Sequence, residues 1–291
     1  MSDVLTDLGI LVAVDGSPES HTALRWAARE AALENRRVTL MHVVAPIVVT
    51  WPIDAIAANY YEWQEDNAQR VIEQARAVLT AEAAEGNSVQ TQVRHGGIVP
   101  ELSEASKRAH LLVIGSRGLG PVGGAALGSV SRALLHHAQC PVVVTKEGVV
   151  RQEDRKLPVM VGIDGSPASD NAIAFAFDEA SRRGVDLIAL HAWSDVAVFP
   201  ILGMDWHQYE EQGHEILSER LAGWKERYPD VHVQRRIVCD KPARWLIDEA
   251  PLCQLVVVGS RGRGGATGLL LGSVSTKVAE SAQAPVAVVR S

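Results

Sequence analysis

Cysteine is scarce: Cys140, Cys239 and Cys253 are the three in 291 residues. Their spacing fits no metal-ligand pattern, an odd number suits a reducing compartment, and all three read as small buried hydrophobes. No apolar run approaches the roughly 20 residues that a membrane helix needs. The opening Met1-Ser2-Asp3-Val4-Leu5-Thr6-Asp7 lacks the basic stretch of a signal peptide. A cytoplasmic location without a membrane span is the expectation. Positive charge is also short, with a formal net charge of -7. That balance argues against a general nucleic-acid or anionic-membrane surface. It leaves room for a small anionic ligand, because backbone amides and one local arginine can set the sign of a pocket. The pairs Arg36-Arg37, Arg182-Arg183 and Arg235-Arg236 stand at element ends and read as solvated.

Several motifs are missing, and each absence excludes a chemistry. There is no Gly-x-x-x-x-Gly-Lys-Ser/Thr, which excludes a P-loop NTPase. No Gly-x-Gly-x-x-Gly turn follows the first strand, which argues against a dinucleotide-binding fold. Neither a Gly-x-Ser-x-Gly elbow nor a His-Glu-x-x-His pair is present.

What is present is a duplication. Val12-Ala13-Val14-Asp15-Gly16-Ser17-Pro18 reappears as Val161-Gly162-Ile163-Asp164-Gly165-Ser166-Pro167, and Asp164 lies 149 residues after Asp15. His42 and His191 keep that offset. Gly115-Ser116-Arg117-Gly118, nine residues, then Gly128-Ser129-Val130-Ser131 reappears 144 residues later as Gly259-Ser260-Arg261-Gly262 and Gly272-Ser273-Val274-Ser275. A repeat this long is a whole domain, so the chain is a tandem of two domains and not a solenoid. Domains over 1–147 and 157–291 are expected, joined by a charged, aperiodic linker at 148–156. Apolar content of 47% gives each half enough for a core.

Within a half, strands and helices alternate. Residues 9–15, 38–44, 89–93, 111–114 and 141–144 read as strands. The spacing predicts helices from Ser17, over 60–84, over 99–108 and from Gly128. Ala23, Trp26, Ala27 and Ala31 recur at helical spacing, and Trp63, Val71, Ala75 and Val78 share one side of the second helix. Trp26 matches Phe175 and reads as core. The second half predicts strands over 158–164, 185–192, 231–238, 254–258 and 285–289, with helices over 167–183, 206–227, 241–250 and 272–282. Continuous Val/Ile/Leu runs imply a parallel sheet covered on both faces, an α/β doubly wound, Rossmann-like architecture.

In such sheets ligands bind beyond the carboxyl ends of the strands, where the winding reverses. Asp15 and the Gly115 loop both sit at such ends, as do Asp164 and the Gly259 loop. A strand that empties into a glycine loop and a helix start can hold a phosphate chain with backbone N–H groups. Gly115 is read as a sharp turn, Gly118 as room for a ligand, and Gly128 as close approach at the helix start. Ser129 and Ser131 add hydroxyls. Arg117 and Arg261 pair with a phosphate oxygen or stay solvated. Asp15 and Asp164 form an Asx turn, or place a carboxylate near a ribose or a phosphate-bound metal. His42 and His191 read as satisfied structural histidines, beside Val43 and Ala192, whose backbone can meet an adenine edge.

On the Val-Asp-Gly-Ser opening, the Gly-x2-Gly-x9-Gly-Ser pattern and the closing Pro-Val-x-Val, both halves resemble the universal stress protein family in its tandem, ATP-binding form. The resemblance covers nearly the whole chain. It implies five-stranded sheets of order 3-2-1-4-5, ATP with magnesium in the crevice between strands one and four, and a homodimer. It implies a regulator of stress survival and growth arrest, acting on an unidentified protein partner, and not an enzyme. Carried over by position, Ala13 and Val43 bound the adenine, and Asp15 lies near ribose or magnesium. Gly115, Ser116, Arg117, Gly118, Gly120, Gly128, Ser129, Val130 and Ser131 surround the phosphates. The second set is Gly162, Asp164, Ala192, Gly259, Ser260, Arg261, Gly262, Arg263, Gly264, Gly265, Gly272, Ser273, Val274 and Ser275. Pro121 stands where the second loop has Gly265, from which unequal affinities are expected. A slow ATPase or nucleotidyl transferase using the same sites is the competing reading. It lacks a lysine in either loop and would rest on Asp15 and Asp164.

Overall fold

Five runs of β-branched and leucine residues build the first unit. β1 (Gly9–Ala13), β2 (Val38–Val44), β3 (Val89–His95), β4 (Ala109–Gly115) and β5 (Val142–Thr145) alternate with four helices. The helices are α1 (Pro18–Glu34), α2 (Asp54–Glu82), α3 (Ile98–Ser106) and α4 (Ser129–His137). The computed structural model describes residues 7–46, 54–82, 88–119, 127–147, 156–192, 206–239, 241–262 and 271–290, with the backbone alone for 54–59 and 206–209. By its internal contacts the chain divides into two compact units, Met1–Glu147 and Gly148–Ser291.

Every described pairing in the first unit is parallel, and the order is β3-β2-β1-β4-β5. The winding reverses between β1 and β4, so their carboxyl ends open a crevice. Central strands buried on both faces must be apolar throughout, and Ile10, Leu11, Val12, Leu111, Leu112 and Val113 are all 0% exposed. β3 is the edge, and its Gln90, Arg94 and His95 reach the surface or near it. α1 touches α2, α3 touches α4, and each helix packs on the strands.

The second unit repeats the plan. β6 (Val159–Ile163), β7 (Leu187–Ala192), β8 (Val233–Val238), β9 (Leu255–Gly259) and β10 (Val286–Val289) form a parallel sheet of order β8-β7-β6-β9-β10. Its helices are α5 (Asp170–Arg183), α6 (Trp206–Arg220), α7 (Trp224–Arg227), α8 (Pro242–Glu249) and α9 (Ser273–Ser281). The strand order expected from the sequence holds in both units.

Differences from the sequence reading have local causes. The 206–227 helix is two, because Gly223 takes φ 78°, a left-handed turn that no helix carries through. The 167–183 helix opens with a 3₁₀ turn over Pro167–Ser169. α2 starts at Asp54, ahead of the expected 60, because no Gly or Pro interrupts 54–82. Trp63 is 53% exposed and does not join the inner side of α2, where Ala68, Val71, Ile72, Ala75 and Leu79 are buried. Twelve residues at 100° each leave Trp63 about 120° from Ala75. Trp26 and Phe175 are only half-buried; Phe177, two residues on, is the core aromatic at 0%. Arg36, Arg182 and Arg183 are ion-paired and not simply solvated: Arg36 meets Glu34 at 2.7 Å, and the other two meet Glu179 at 2.9 and 2.8 Å. The linker 148–155 and the residues Gly120, Pro121, Arg263, Gly264 and Gly265 lie outside the described residues.

Candidate functional site

The turn after β1 is built by its own side chains. Asp15 Oδ1 accepts from the Ser17 backbone N–H at 2.9 Å and from the Ser17 hydroxyl at 2.6 Å. Gly16 takes φ 84°, which only glycine adopts freely. Ser17 Oγ in turn accepts from Ser20 N–H at 3.1 Å and caps α1, with Pro18 in the first turn. The second unit repeats the turn: Asp164 Oδ1 accepts from Ser166 N–H at 2.9 Å and its hydroxyl at 2.7 Å, and Gly165 takes φ 82°. The Asx turn is therefore real in both halves. Beyond the turn, Asp15 Oδ2 accepts from Leu119 N–H at 3.2 Å and ties the glycine loop to β1.

The two histidines complete the frame. His42 Nδ1 lies 2.7 Å from the Val14 carbonyl, and His191 Nδ1 lies 2.7 Å from the Ile163 carbonyl. A carbonyl only accepts, so Nδ1 carries the proton and donates. Each histidine fastens the end of its strand to the exit of the neighbouring one, the structural role read from the sequence.

The glycines of the loop divide into two kinds. A Cβ at Gly115 would meet the backbone carbon of Glu19 at 2.8 Å, so this glycine lets α1 pack against β4. The sharp turn expected there is absent, since Gly115 ends the strand without a positive φ. A Cβ at Gly118 would collide with Asp15 Oδ2, and one at Gly262 would come 2.6 Å from Asp164 Oδ2. The space at 118 and 262 thus belongs first to a carboxylate and not to a ligand. Gly128 and Gly272 differ. The nearest described atoms to a Cβ there are 3.4 and 3.5 Å away, ordinary contact distances, and both backbones are extended (φ -67° and -63°). Among the described residues, nothing in the fold itself requires glycine at either position.

Those two glycines are the N-caps of α4 and α9, and neither helix has a side-chain cap. α1 shows the contrast, since Ser17 caps it. The leading N–H groups of α4 and α9, at residues 129–131 and 273–275, line two cavities of about 740 and 780 Å³. Ser131 and Ser275 are buried, and their hydroxyls donate to the carbonyls of Gly115 and Gly259 at 2.8 and 2.6 Å. These hydroxyls pin each helix to the strand it follows. Ser129 and Ser273 stay exposed at the helix starts. Ser116 and Ser260 are 2% and 1% exposed and do not line either cavity. Their carbonyls accept from Gly128 and Gly272 N–H at 2.7 and 2.8 Å and shape the loop from beneath.

Of the other expected residues, Ala13, Asp15, Val43, Gly115, Arg117, Gly118, Gly128 and Val130 come together around the first cavity. Gly162, Asp164, Ala192, Gly259, Arg261, Gly262 and Val274 do so around the second. Gly272 is the N-cap beside it. Arg117 keeps an exposed side chain and is also ion-paired; its Nε lies 3.0 Å from Glu19 Oε1. Sequence reasoning missed the far wall, formed by α3 and α8: Ile98 and Leu102 in the first unit, Pro242 and Leu246 in the second. The signal for it was an apolar residue opening each short helix after the third strand. It also missed Lys241, a non-glycine residue at φ 50°, directly before Pro242. Such a conformation costs about 1 kcal/mol, and strain of this kind concentrates at functional sites.

Each unit is thus a doubly wound parallel α/β domain with one crevice at its winding reversal, floored by apolar side chains and edged by an uncapped helix start. The profile of the universal stress protein family matches residues 9–146 and 157–290. The chain belongs to that family and carries its domain twice. It is 55% identical over 287 residues to a universal stress protein of Mycolicibacterium smegmatis, covering 98% of each chain. It is 46% identical over 293 residues to universal stress protein Rv2623 of Mycobacterium tuberculosis, covering 100% of this chain and 99% of the other. Among solved structures, a universal stress protein of Archaeoglobus fulgidus shares the fold with a TM-score of 0.70 at 22% identity, over 98% of this chain and 99% of that one. No described helix is long and apolar enough to cross a membrane.

Proposed function

We propose that each unit binds one adenine nucleotide, ATP with magnesium, and that the protein is a nucleotide-dependent regulator and not an enzyme. The observation that carries this reading is the pair Gly128 and Gly272. Among the described residues, each is a glycine that nothing in its own fold demands, on a helix start with no side-chain cap, at the rim of a cavity of ligand size. Leaving out a Cβ there admits an anion to the leading N–H groups of the helix, where the helix end adds about half a positive charge.

The remaining residues fit a nucleotide. Ala13 and Val43, or Gly162 and Ala192, present a flat apolar floor for a base. Asp15 and Asp164 lie between floor and helix start, in reach of a ribose or of magnesium on the phosphates; magnesium there would offset phosphate charge. Gly115, Arg117, Gly118, Ser129 and Val130 bound the phosphates in the first unit, with Gly259, Arg261, Gly262, Ser273 and Val274 in the second. Gly120, Arg263, Gly264 and Gly265 belong to the same loops by sequence. The non-catalytic reading rests on the carboxylates: Asp15 accepts three hydrogen bonds from its own turn and loop, so it is committed to holding backbone and poorly placed as a base. A cytoplasmic homodimer that passes nucleotide occupancy to a protein partner completes the proposal.

The test is direct. Freshly purified protein is denatured and the released nucleotide identified; nucleotide-free protein is then incubated with ATP and magnesium for hours. Retained, unhydrolysed ATP is the expected result. Steady turnover would assign an ATPase, and neither content nor uptake would remove nucleotide from the account.

A further inference from the structure

The two cavities keep one shape and differ in charge. Ala13, Val43 and Leu102 correspond to Gly162, Ala192 and Leu246, so the apolar floor and far wall are matched. Among the described residues, the charged side chains around the first cavity are one cation, Arg117, against two carboxylates, Asp15 and Glu19, a net of -1. Those around the second are four cations, Lys241, Arg244, Arg261 and Lys277, against two carboxylates, Asp164 and Asp248, a net of +2.

Among the described residues, three positions change charge in the same direction. Glu19 corresponds to Ala168, Gly97 to Lys241, and Ala133 to Lys277. Gly97 and Lys241 are the N-caps of α3 and α8, and Ala133 and Lys277 are the fifth residues of α4 and α9. Arg244 stands where the first unit has Pro100, and it pairs 3.4 Å away across one helical turn with Asp248, which stands where the first unit has Glu104. The Glu19 carboxylate is almost covered, its side chain 10% exposed, and it holds Arg117 at 3.0 Å. If Arg117 turned to a phosphate, it would leave a desolvated carboxylate unpaired beside the ligand, so the pair opposes that move. In the second unit Ala168 offers no carboxylate to Arg261.

We propose that the two sites divide ligands by charge. The second cavity is the strong site for free, highly charged polyphosphate nucleotides. The first favours nucleotides of lower charge, such as a monophosphate, or a triphosphate whose charge magnesium has reduced. This inference rests on the nucleotide reading above. Attraction between a phosphate chain and a cation a few ångströms away in partly exposed surroundings is modest for one pair but adds over three positions, and salt weakens it.

The test is calorimetric titration of the full-length protein, nucleotide-free, with ATP and with AMP in EDTA at low salt. ATP is expected to show two classes of site about tenfold or more apart, and AMP classes within about threefold. Excess magnesium or 0.5 M salt is expected to narrow the ATP gap. Lys277→Ala, which installs the residue of the first unit, should weaken the tight ATP class and leave AMP nearly unchanged. Glu19→Ala, which installs the residue of the second, should strengthen the weak class. Equal ATP classes in the unaltered protein, an equal gap for ATP and AMP, or exchanges acting on the opposite classes would overturn the charge division and leave nucleotide binding standing. No binding of either nucleotide would overturn both.

Discussion

Gly128 and Gly272 separate the demands of folding from those of binding. Among the described residues, a methyl group at either position meets only ordinary contacts. Gly128→Ala should therefore cost about 1 kcal/mol or less in stability, the scale of an N-cap exchange. ATP affinity at the first site should fall about tenfold or more, because the methyl occupies the approach to the helix N–H groups. Paired denaturant melts and titrations read both effects; a large loss of stability with unchanged affinity would contradict the assignment. Gly118→Ala should behave in the opposite way. Its methyl collides with Asp15 Oδ2, so the Leu119 N–H bond is lost and the loop loosens. Faster amide exchange at Leu119 would report it. The sequence could not distinguish these glycines, because the pattern shows that a Cβ is absent and not which atom fills its place. The same limit applies to Ser131, whose hydroxyl turns inward to Gly115.

At the scale of elements, the long apolar runs were legible because a strand covered on both faces tolerates little else. The breaks were less so. Gly223 sits at a positive φ in the break between α6 and α7, whereas Gly213, also in that helical stretch, stays inside α6 without a positive φ. Composition does not separate the two. α7 is held by side chains: Phe177 stacks on Trp224 at 5.2 Å, and Tyr228, just after the helix, donates to Asp178 Oδ1 at 2.6 Å. Partial burial, then the hydrogen bond to Asp178 and its negative charge, raise the Tyr228 pKa above the usual tyrosine value. The neutral phenol is thus favoured by the fold. Its contribution is complete below the unfolded-state value near 10 and is lost as pH rises through the higher folded value. Unfolding measured between pH 8 and 11.5 should show that alkaline loss, and Tyr228→Phe should diminish it while costing about 1 kcal/mol at pH 7. An unchanged alkaline slope in the variant would contradict this role. Gly115→Val should drive a side chain into the Glu19 turn of α1 and cost about 2 kcal/mol or more.

For the whole molecule, duplication made the architecture readable: one half checks the other, and both sheets have the strand order the sequence implied. What duplication hid is the divergence between sites, because a comparison of motifs passes over Glu19, Ala133 and Gly97, which lie outside them. A chain with a net charge of -7 repels a polyphosphate at long range. Binding therefore depends on what each crevice supplies locally, two helix starts and the side chains around them. Ligand that binds only the folded state stabilises it, by about 2.7 kcal/mol at a hundred times its dissociation constant. Thermal melts should move upward with ATP concentration, and Gly128→Ala combined with Gly272→Ala should abolish most of that movement. A melt indifferent to ATP in the unaltered protein would count against any folded-state site.

The central claim is that each unit holds one nucleotide at its own uncapped helix start. Equilibrium dialysis of the nucleotide-free chain against saturating radiolabelled ATP with magnesium measures it most directly. The account predicts two ATP per chain, one in Gly128→Ala and one in Gly272→Ala at the same free concentration. No bound ATP, or two bound in both variants, would contradict it.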